Sequence, residues 1–245
     1  MTPDYQFKLP KLFSYVVPVT ILSVFISVFF LYFPWENKLL SHVLSGASLL
    51  IGLGFTGMYL TVKGFTNLEK RIVDRDMLLD SIPWKGSESV LDIGCGNGIL
   101  LLSAAKKIPD GRAIGIDLWT ENSGDNRKDV FLKNAEIEGV ENRVTVETED
   151  ARSLPYENAI FDVILCGLTM HHILHDKGAE KAIKEMVRVT KPGGYIAVYD
   201  VPIAILSTSK LLKKENIEVT KVNSRILIGK KTANKAISAN RYRSG

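Results

Sequence analysis

The sequence predicts an α/β fold, a doubly wound and mostly parallel sheet preceded by a pair of apolar helices. Three observations carry this reading. Residues 12–35 and 39–62 contain no Asp, Glu, Lys or Arg. From Ser89 onward, short apolar runs alternate with helical patterns, which is how a parallel sheet covered by helices on both faces is written. A glycine-rich turn, Gly94-Cys95-Gly96-Asn97-Gly98, directly follows the first of those runs.

Composition sets the outer limits. A chain of 245 residues holds one sizeable domain, or one domain and something small. Apolar residues at 46 % and charged residues at 24 % exclude wholesale disorder. Mean hydropathy is +0.08, which requires the apolar residues to be concentrated somewhere. Two cysteines exclude a disulfide scaffold and a Cys-rich zinc site, and no metal is expected. The net charge of +4 stems from the end of the chain, where Lys230, Lys231, Lys235, Arg241 and Arg243 occur without an acid. The rest of the chain is close to neutral, so nucleic acid is not an expected partner.

The two apolar runs read as a transmembrane hairpin filling residues 1–63, with spans at about 12–33 and 39–62. As helix, the 22 residues of the first run reach about 33 Å, enough for a hydrocarbon layer of ~30 Å. The link Pro34-Trp35-Glu36-Asn37-Lys38 leaves room only for a tight turn. Ser41, Ser45, Ser48 and Gly52 put small residues on one face, which allows close helix packing. Tyr32, Trp35 and Tyr59 suit the membrane interface, and Pro18 is expected to kink the first span. A cleaved signal peptide fits poorly, because no small-x-small site follows the run. Buried core helices would keep a polar stripe. Lys8, Lys11, Lys63, Lys70 and Arg71 flank the runs, so the positive-inside rule places both termini and the later domain in the cytoplasm. His42 lies near the hairpin end, where interfacial solvation accounts for it.

Residues 64–88 form a connector with helical spacing over Leu68–Ile82 and a stop at Pro83. The domain proper spans 89–230. Val90–Ile93, Ala113–Ile116, Val144–Glu147, Phe161–Cys166 and Tyr195–Tyr199 read as strands. Between them, Ile99–Ile108, Arg127–Glu138 and Lys177–Val189 read as helices, the third with Ile183, Met186, Val187 and Thr190 on one face. Pro109-Asp110-Gly111 and Lys191-Pro192-Gly193-Gly194 are turns. A short helix at Ser207–Glu215 leads to Ile217–Val222 and Arg225–Gly229, an antiparallel hairpin that brings the strand count to seven. Residues 231–245 form a basic tail that could lie on anionic lipid or remain solvated.

Chemistry-bearing residues gather at the strand ends. The spacing at residues 94–98 is G-x-G-x-G, not the G-x-G-x-x-G of a dinucleotide site, and no phosphate-loop motif G-x-x-x-x-G-K-[ST] occurs. Asp117 ends the second strand, where a carboxylate suits a ribose diol or caps a turn. Glu149-Asp150-Ala151-Arg152 follows the third strand and Cys166-Gly167-Leu168-Thr169-Met170-His171-His172 the fourth. Together the four loops place small or acidic groups around one crevice, where open α/β sheets bind ligands.

VLDIGCGNG, GIDLW, NAEIEGVENRVTVETEDARSLPYENAIFDVIL and MVRVTKPGGYIAVYD resemble the successive motifs of class I S-adenosylmethionine-dependent methyltransferases, and most of all the type 11 branch. The resemblance covers roughly residues 70–230. It implies the Rossmann-like methyltransferase fold with an antiparallel terminal strand, and S-adenosyl-L-methionine as cofactor. By position, Asp92, Gly94, Cys95 and Gly96 would line the methionine end. Asp117 would bind the ribose hydroxyls, with Leu118 against the adenine. Asp150 would accept the adenine amino group, with an N–H from Ala151 nearby, and Cys166 and Gly167 would line the methionyl side. The residue types agree with that ligand, which carries no phosphate and needs acceptors, not a Lys or Arg clamp.

A sulfonium methyl is already electrophilic, so alignment of the nucleophile and exclusion of water do most of the work. His171 and His172 are the candidates for a general base, against the plainer reading that one of them caps or packs the loop. His175, next to Asp176, reads as a helix-start residue. Cys95 and Cys166 end neighbouring strands and are expected to be reduced in the cytoplasm. The expectation is a membrane-anchored methyltransferase acting on a lipophilic quinone, terpenoid or lipid acceptor. The alternatives are a tethered, non-catalytic cofactor- or partner-binding module, a protein methyltransferase, and a nicotinamide-dependent oxidoreductase.

Overall fold

The computed structural model describes residues 2–5, 14–119, 127–174 and 178–232. The chain divides into two compact units. One is residues 6–71, and the other combines residues 1–5 with residues 72–245.

The first unit holds helices α1 (Val16–Tyr32) and α2 (Lys38–Thr66). Asn37 caps α2, its side chain accepting the N–H of Leu40 at 3.0 Å. Trp35 in the link stacks on Phe30, with ring centroids 5.4 Å apart. The helices meet along a seam of small polar residues. Ser27 and Ser45 hydroxyls are 2.8 Å apart, Ser48 donates to the Ser23 carbonyl at 2.6 Å, and Thr20 and Thr56 hydroxyls are 3.0 Å apart. Ser23, Ser27, Ser41 and Ser45 are buried, whereas Ile21, Leu22, Phe25, Phe29, Leu50 and Leu53 are exposed.

Two expectations need correction here. At 17 residues, α1 reaches only about 26 Å, short of a ~30 Å hydrocarbon layer. Among the described helices, α2 alone is long and apolar enough to cross a membrane, over Lys38–Gly64. Pro18 is placed where a helix tolerates proline. It sits in the first turn, where its missing N–H has no intrahelical partner to lose. In addition, α2 continues through residues first read as connector, and α3 spans Leu68–Asp80.

The second unit is built on seven strands: β1 (Ser89–Ile93), β2 (Arg112–Ile116), β3 (Val144–Glu147), β4 (Phe161–Gly167), β5 (Thr190–Tyr199), β6 (Ile217–Lys221) and β7 (Ile226–Lys231). Their order is β3-β2-β1-β4-β5-β7-β6. β7 runs opposite to the other strands, pairing antiparallel with both β5 and β6. The connecting helices are α4 (Leu101–Lys107), α5 (Lys128–Glu138), α6 (Met170–Ile173), α7 (Gly178–Val189) and α8 (Pro202–Lys214). Strand order moves outward one way from β1 to β3 and the other way from β4 to β5. Right-handed crossovers therefore put α4 and α5 on one face and α7 and α8 on the other, and α4 packs on α5 as α7 does on α8. The reversal falls between β1 and β4, so the glycine turn and the loop after Gly167 flank the switch point.

The core lies between β1, β4, β5 and the α7 face, where Leu91, Ile164, Ile183, Met186, Ile196 and Val198 are fully buried. Three boundaries differ from the sequence reading. The α8 helix starts at Pro202, five positions before the expected Ser207, because proline is favoured at the first helical position. Residues 191–194, read as a turn, extend β5, and the ladder is irregular between Phe161 and Val163. Lys230 and Lys231, assigned to the end of the domain and the start of the tail, are both in β7. The Lys231 ammonium donates to the carbonyls of Val187 and Thr190, each at 2.7 Å. The remainder of the basic tail lies outside the described residues, as does His175.

Candidate active site

The glycine turn begins where β1 ends. Gly94 and Cys95 both donate N–H groups to the carbonyl of Ile116, at 2.8 and 3.0 Å, which ties the turn to the end of β2. Gly94 has φ +71, and a Cβ there would lie 2.1 Å from the Thr169 hydroxyl. No other residue fits a turn bent this way and this close to the loop after β4. Thr169 in turn donates to the Gly167 carbonyl at 3.1 Å.

Asp117 completes the junction. One carboxylate oxygen accepts the N–H of Gly96 at 3.0 Å, and the other accepts the N–H of Trp119 at 3.1 Å. Leu118 beside it is exposed, as a platform for a flat ring would be. Asp92 is 1 % exposed; the Leu101 main chain favours its charge slightly, but neither carboxylate oxygen makes a well-formed hydrogen bond with a described residue. Burial, reinforced by the charge of Asp117, pushes its pKa up to about 7. A buried acceptor pair so weakly partnered is costly unless something pairs with it. An ammonium group is the chemistry it fits, and the methionine end of S-adenosylmethionine carries one.

The other expected residues sit as follows. Asp150 is at the same sheet edge, but its carboxylate is turned to Arg152, whose guanidinium approaches at 2.6 Å. That hydrogen bond holds the Asp150 carboxyl below the usual carboxylate range. An adenine amine would compete with Arg152 for the carboxylate, whereas the main chain of Ala151 in the adjoining turn is outside that pair. Cys95 and Cys166 are buried, and burial pushes both thiols up. Cys166 belongs to the core beneath the crevice, so only its main chain can line the site. At Gly167 a Cβ would meet the Tyr199 ring at 2.5 Å and Leu100 at 2.6 Å.

The two histidines separate. His172 is exposed. His171 Nδ1 lies 2.7 Å from Oδ1 of Asp200, which is fully buried at the end of β5. Asp200 also accepts the N–H groups of His171 and Val201, at 3.1 and 2.7 Å. With Asp200 ionised and the imidazole neutral, Nδ1 would donate to the carboxylate and Nε2 would be left as an acceptor. Asp200 and Thr169 were missed in the sequence. A signal existed for Asp200, which ends its strand in Val-Tyr-Asp much as Asp117 ends Gly-Ile-Asp.

Residues 90–194 match the model of a methyltransferase domain. The chain is 29 % identical to norajmaline N-methyltransferase of Rauvolfia serpentina, over 74 % of this chain and 58 % of that protein. It is 29 % identical to demethylmenaquinone methyltransferase of Lactobacillus johnsonii, over 47 % of this chain and 45 % of that one. The chain thus spans about half the length of these curated relatives. Among solved structures, a SAM-dependent methyltransferase from Aquifex aeolicus matches at TM-score 0.54 and 21 % identity, over 69 % of this chain and 95 % of that one. The [4+2]-cyclase SpnF shares the fold at TM-score 0.51 and 22 % identity, over 61 % of this chain and 59 % of that one. The second unit thus has the Rossmann-like fold of solved SAM-dependent methyltransferases, and its residues 90–194 match a methyltransferase domain.

Proposed function

We propose that the chain is a membrane-anchored enzyme that transfers a methyl group from S-adenosylmethionine to a lipophilic small molecule of quinone, terpenoid or lipid type. The observation that carries the anchor is the inverted packing of α1 on α2. Serines line the seam while large apolar side chains face outward, and only 17 % of the most apolar window of α2 is buried. A core helix of a water-soluble protein would be mostly buried. In lipid, helices associate through small residues and hydroxyl contacts of this kind. Both apolar runs then cross, the short α1 with local thinning of the bilayer around it, which puts both termini and the methyltransferase domain on the cytoplasmic side. A relative named for demethylmenaquinone supports a quinone-type acceptor.

When bound, the cofactor supplies an electrophilic methyl on a sulfonium. The rest falls to this chain. Asp92 accepts the ammonium of the methionine end. Asp117 and the Gly96 turn hold the ribose, Leu118 supports the adenine, and Ala151 and Asp150 meet its edge. His171 Nε2 would take the proton of the acceptor's O–H or N–H as the methyl carbon exchanges its bond to sulfur for one to the acceptor, the sulfur leaving as a neutral thioether. Asp200 keeps the ring in the required tautomer and stabilises the imidazolium.

The test uses the full chain in lipid nanodiscs, methyl-labelled cofactor and a membrane lipid extract. Label in the organic phase supports the reading. Label only in protein overturns the lipophilic acceptor. Cofactor binding without label transfer overturns methyl transfer and favours a non-methylating use of the fold, the kind SpnF is named for.

A further inference from the structure

We propose that the first residues of the chain are a working part of the cofactor domain: Asp4 and Tyr5 brace the glycine turn through Asn134, and so set the affinity for S-adenosylmethionine. Asn134 on α5 is 1 % exposed. Its Oδ1 accepts the N–H of Asp4 at 2.8 Å, and its Nδ2 donates to the Asp4 carbonyl and to the Asn97 carbonyl, each at 2.9 Å. Both donors and the acceptor of the amide are thereby used.

Asn97 is the residue between Gly96 and Gly98, and it is held twice. Its carbonyl is taken by Asn134, and its side-chain oxygen accepts the N–H of Arg127 at the start of α5, at 3.2 Å. The preceding residue, Gly96, is the one anchored to Asp117. Tyr5 fixes the other end of the segment. It is 5 % exposed, and its hydroxyl donates to Glu138 at 2.8 Å. Burial and that carboxylate push the phenol pKa well up, and Glu138 is itself paired with Lys106 of α4.

Removing the segment takes two of Asn134's three partners from a site closed to water. The amide would then turn to find others, and the Asn97 carbonyl would lose its anchor. Asn134 is a positioning residue in this scheme, acting on the cofactor through the turn. The proposal rests on the cofactor lying at the glycine turn and is independent of what is methylated.

The experiment uses the full chain in detergent, with calorimetric titration of S-adenosylmethionine and amide hydrogen exchange. Deleting residues 2–5 is expected to weaken cofactor affinity about fivefold or more, and to speed exchange at Gly94–Gly98 while β4 stays protected. Tyr5→Phe, which keeps the ring and loses the hydroxyl, is expected to weaken it about twofold. A folded deletion variant with unchanged affinity and unchanged exchange at the turn overturns the proposal. Should the deletion fail to fold, Asn134→Asp and Tyr5→Phe decide. Asn134→Asp keeps the acceptor for Asp4 and removes both donors, so native affinity in both variants is equally fatal. Because binding is read without an acceptor, a wrong methyl acceptor leaves the result untouched.

Discussion

His171 Nδ1 and Asp200 Oδ1 lie 2.7 Å apart, the carboxylate wholly buried and the imidazole part-exposed at the carboxyl edge of the sheet. The pair has the composition of a general base with its orienting acid. His171→Ala is expected to lower turnover by about 10²–10⁴-fold, as loss of a general base does, while cofactor affinity stays within twofold. Asp200→Asn is expected to lower turnover less and to change its pH profile. Single-turnover rates across pH, set beside calorimetric cofactor binding, would show the split. An equal fall in affinity would make the pair structural.

In the proposed binding mode, Asp92 would link cofactor binding to pH. Its carboxyl titrates near pH 7 because it is buried and faces the charge of Asp117. Its folded pKa lies above the ordinary value of 3.8, so stability from this group falls as pH rises from about 4 to about 7 and levels off above. An ammonium ligand needs the ionised form. Affinity for S-adenosylmethionine is therefore expected to rise roughly five- to tenfold from pH 6 to pH 7.5. Asp92→Asn is expected to abolish that dependence, weaken binding, and raise the Tm of the free protein by about 3 °C or more. Titrations at three pH values check the first part and thermal melts the last.

Asp117 holds the glycine turn through Gly96 as well as offering acceptors to a ligand. Asp117→Ala is expected to weaken cofactor binding by about 1–3 kcal/mol, the cost of leaving donors unpaired. Asp117→Asn should recover part of the loss, since an amide oxygen still accepts from Gly96. Unchanged affinity in the alanine variant would place the ribose elsewhere.

Gly52 marks the closest approach of the two apolar helices. A Cβ at this position would stand 2.1 Å from the Ser23 hydroxyl. Gly52→Leu is expected to force the helices apart and lower the resistance of the hairpin to SDS, while Gly54→Leu, which meets nothing, should not. Cross-linking of a Ser27→Cys, Ser45→Cys double variant reports the same seam, because those hydroxyls are 2.8 Å apart. Efficient cross-linking in the Gly52→Leu background would contradict the expectation.

The sheet was legible because β1, β2, β3 and β4 are short apolar runs between turn residues, a pattern local to each strand. The glycine turn, Asp117 and His171 were legible for the same reason, as each follows a strand end. Other features were not local. Asp200 is one acid among many until β4 and β5 lie side by side and bring it to His171, 29 residues away. Thr169 gains its meaning only from the space Gly94 leaves. The start of α8 lies ahead of the expected Ser207, at Pro202, whose preference for the first helical position is the local signal that marks it. The length of α1 was overread, since an apolar run sets an upper bound on a helix and not its ends.

The bond between Asp4 and Asn134 closes a loop of 130 residues that contains both apolar helices. On the ribosome, the first partner emerges long before the second. The glycine turn therefore cannot be finished until the hairpin has been made and the chain has come back to where it started. If the membrane takes up the hairpin, a chain that crossed once would strand its first residues on the far side from α5. Its cofactor site would stay open at Asn97. A molecule whose first residues are held away from α5 would therefore be expected to bind its cofactor less tightly even with every later strand in place.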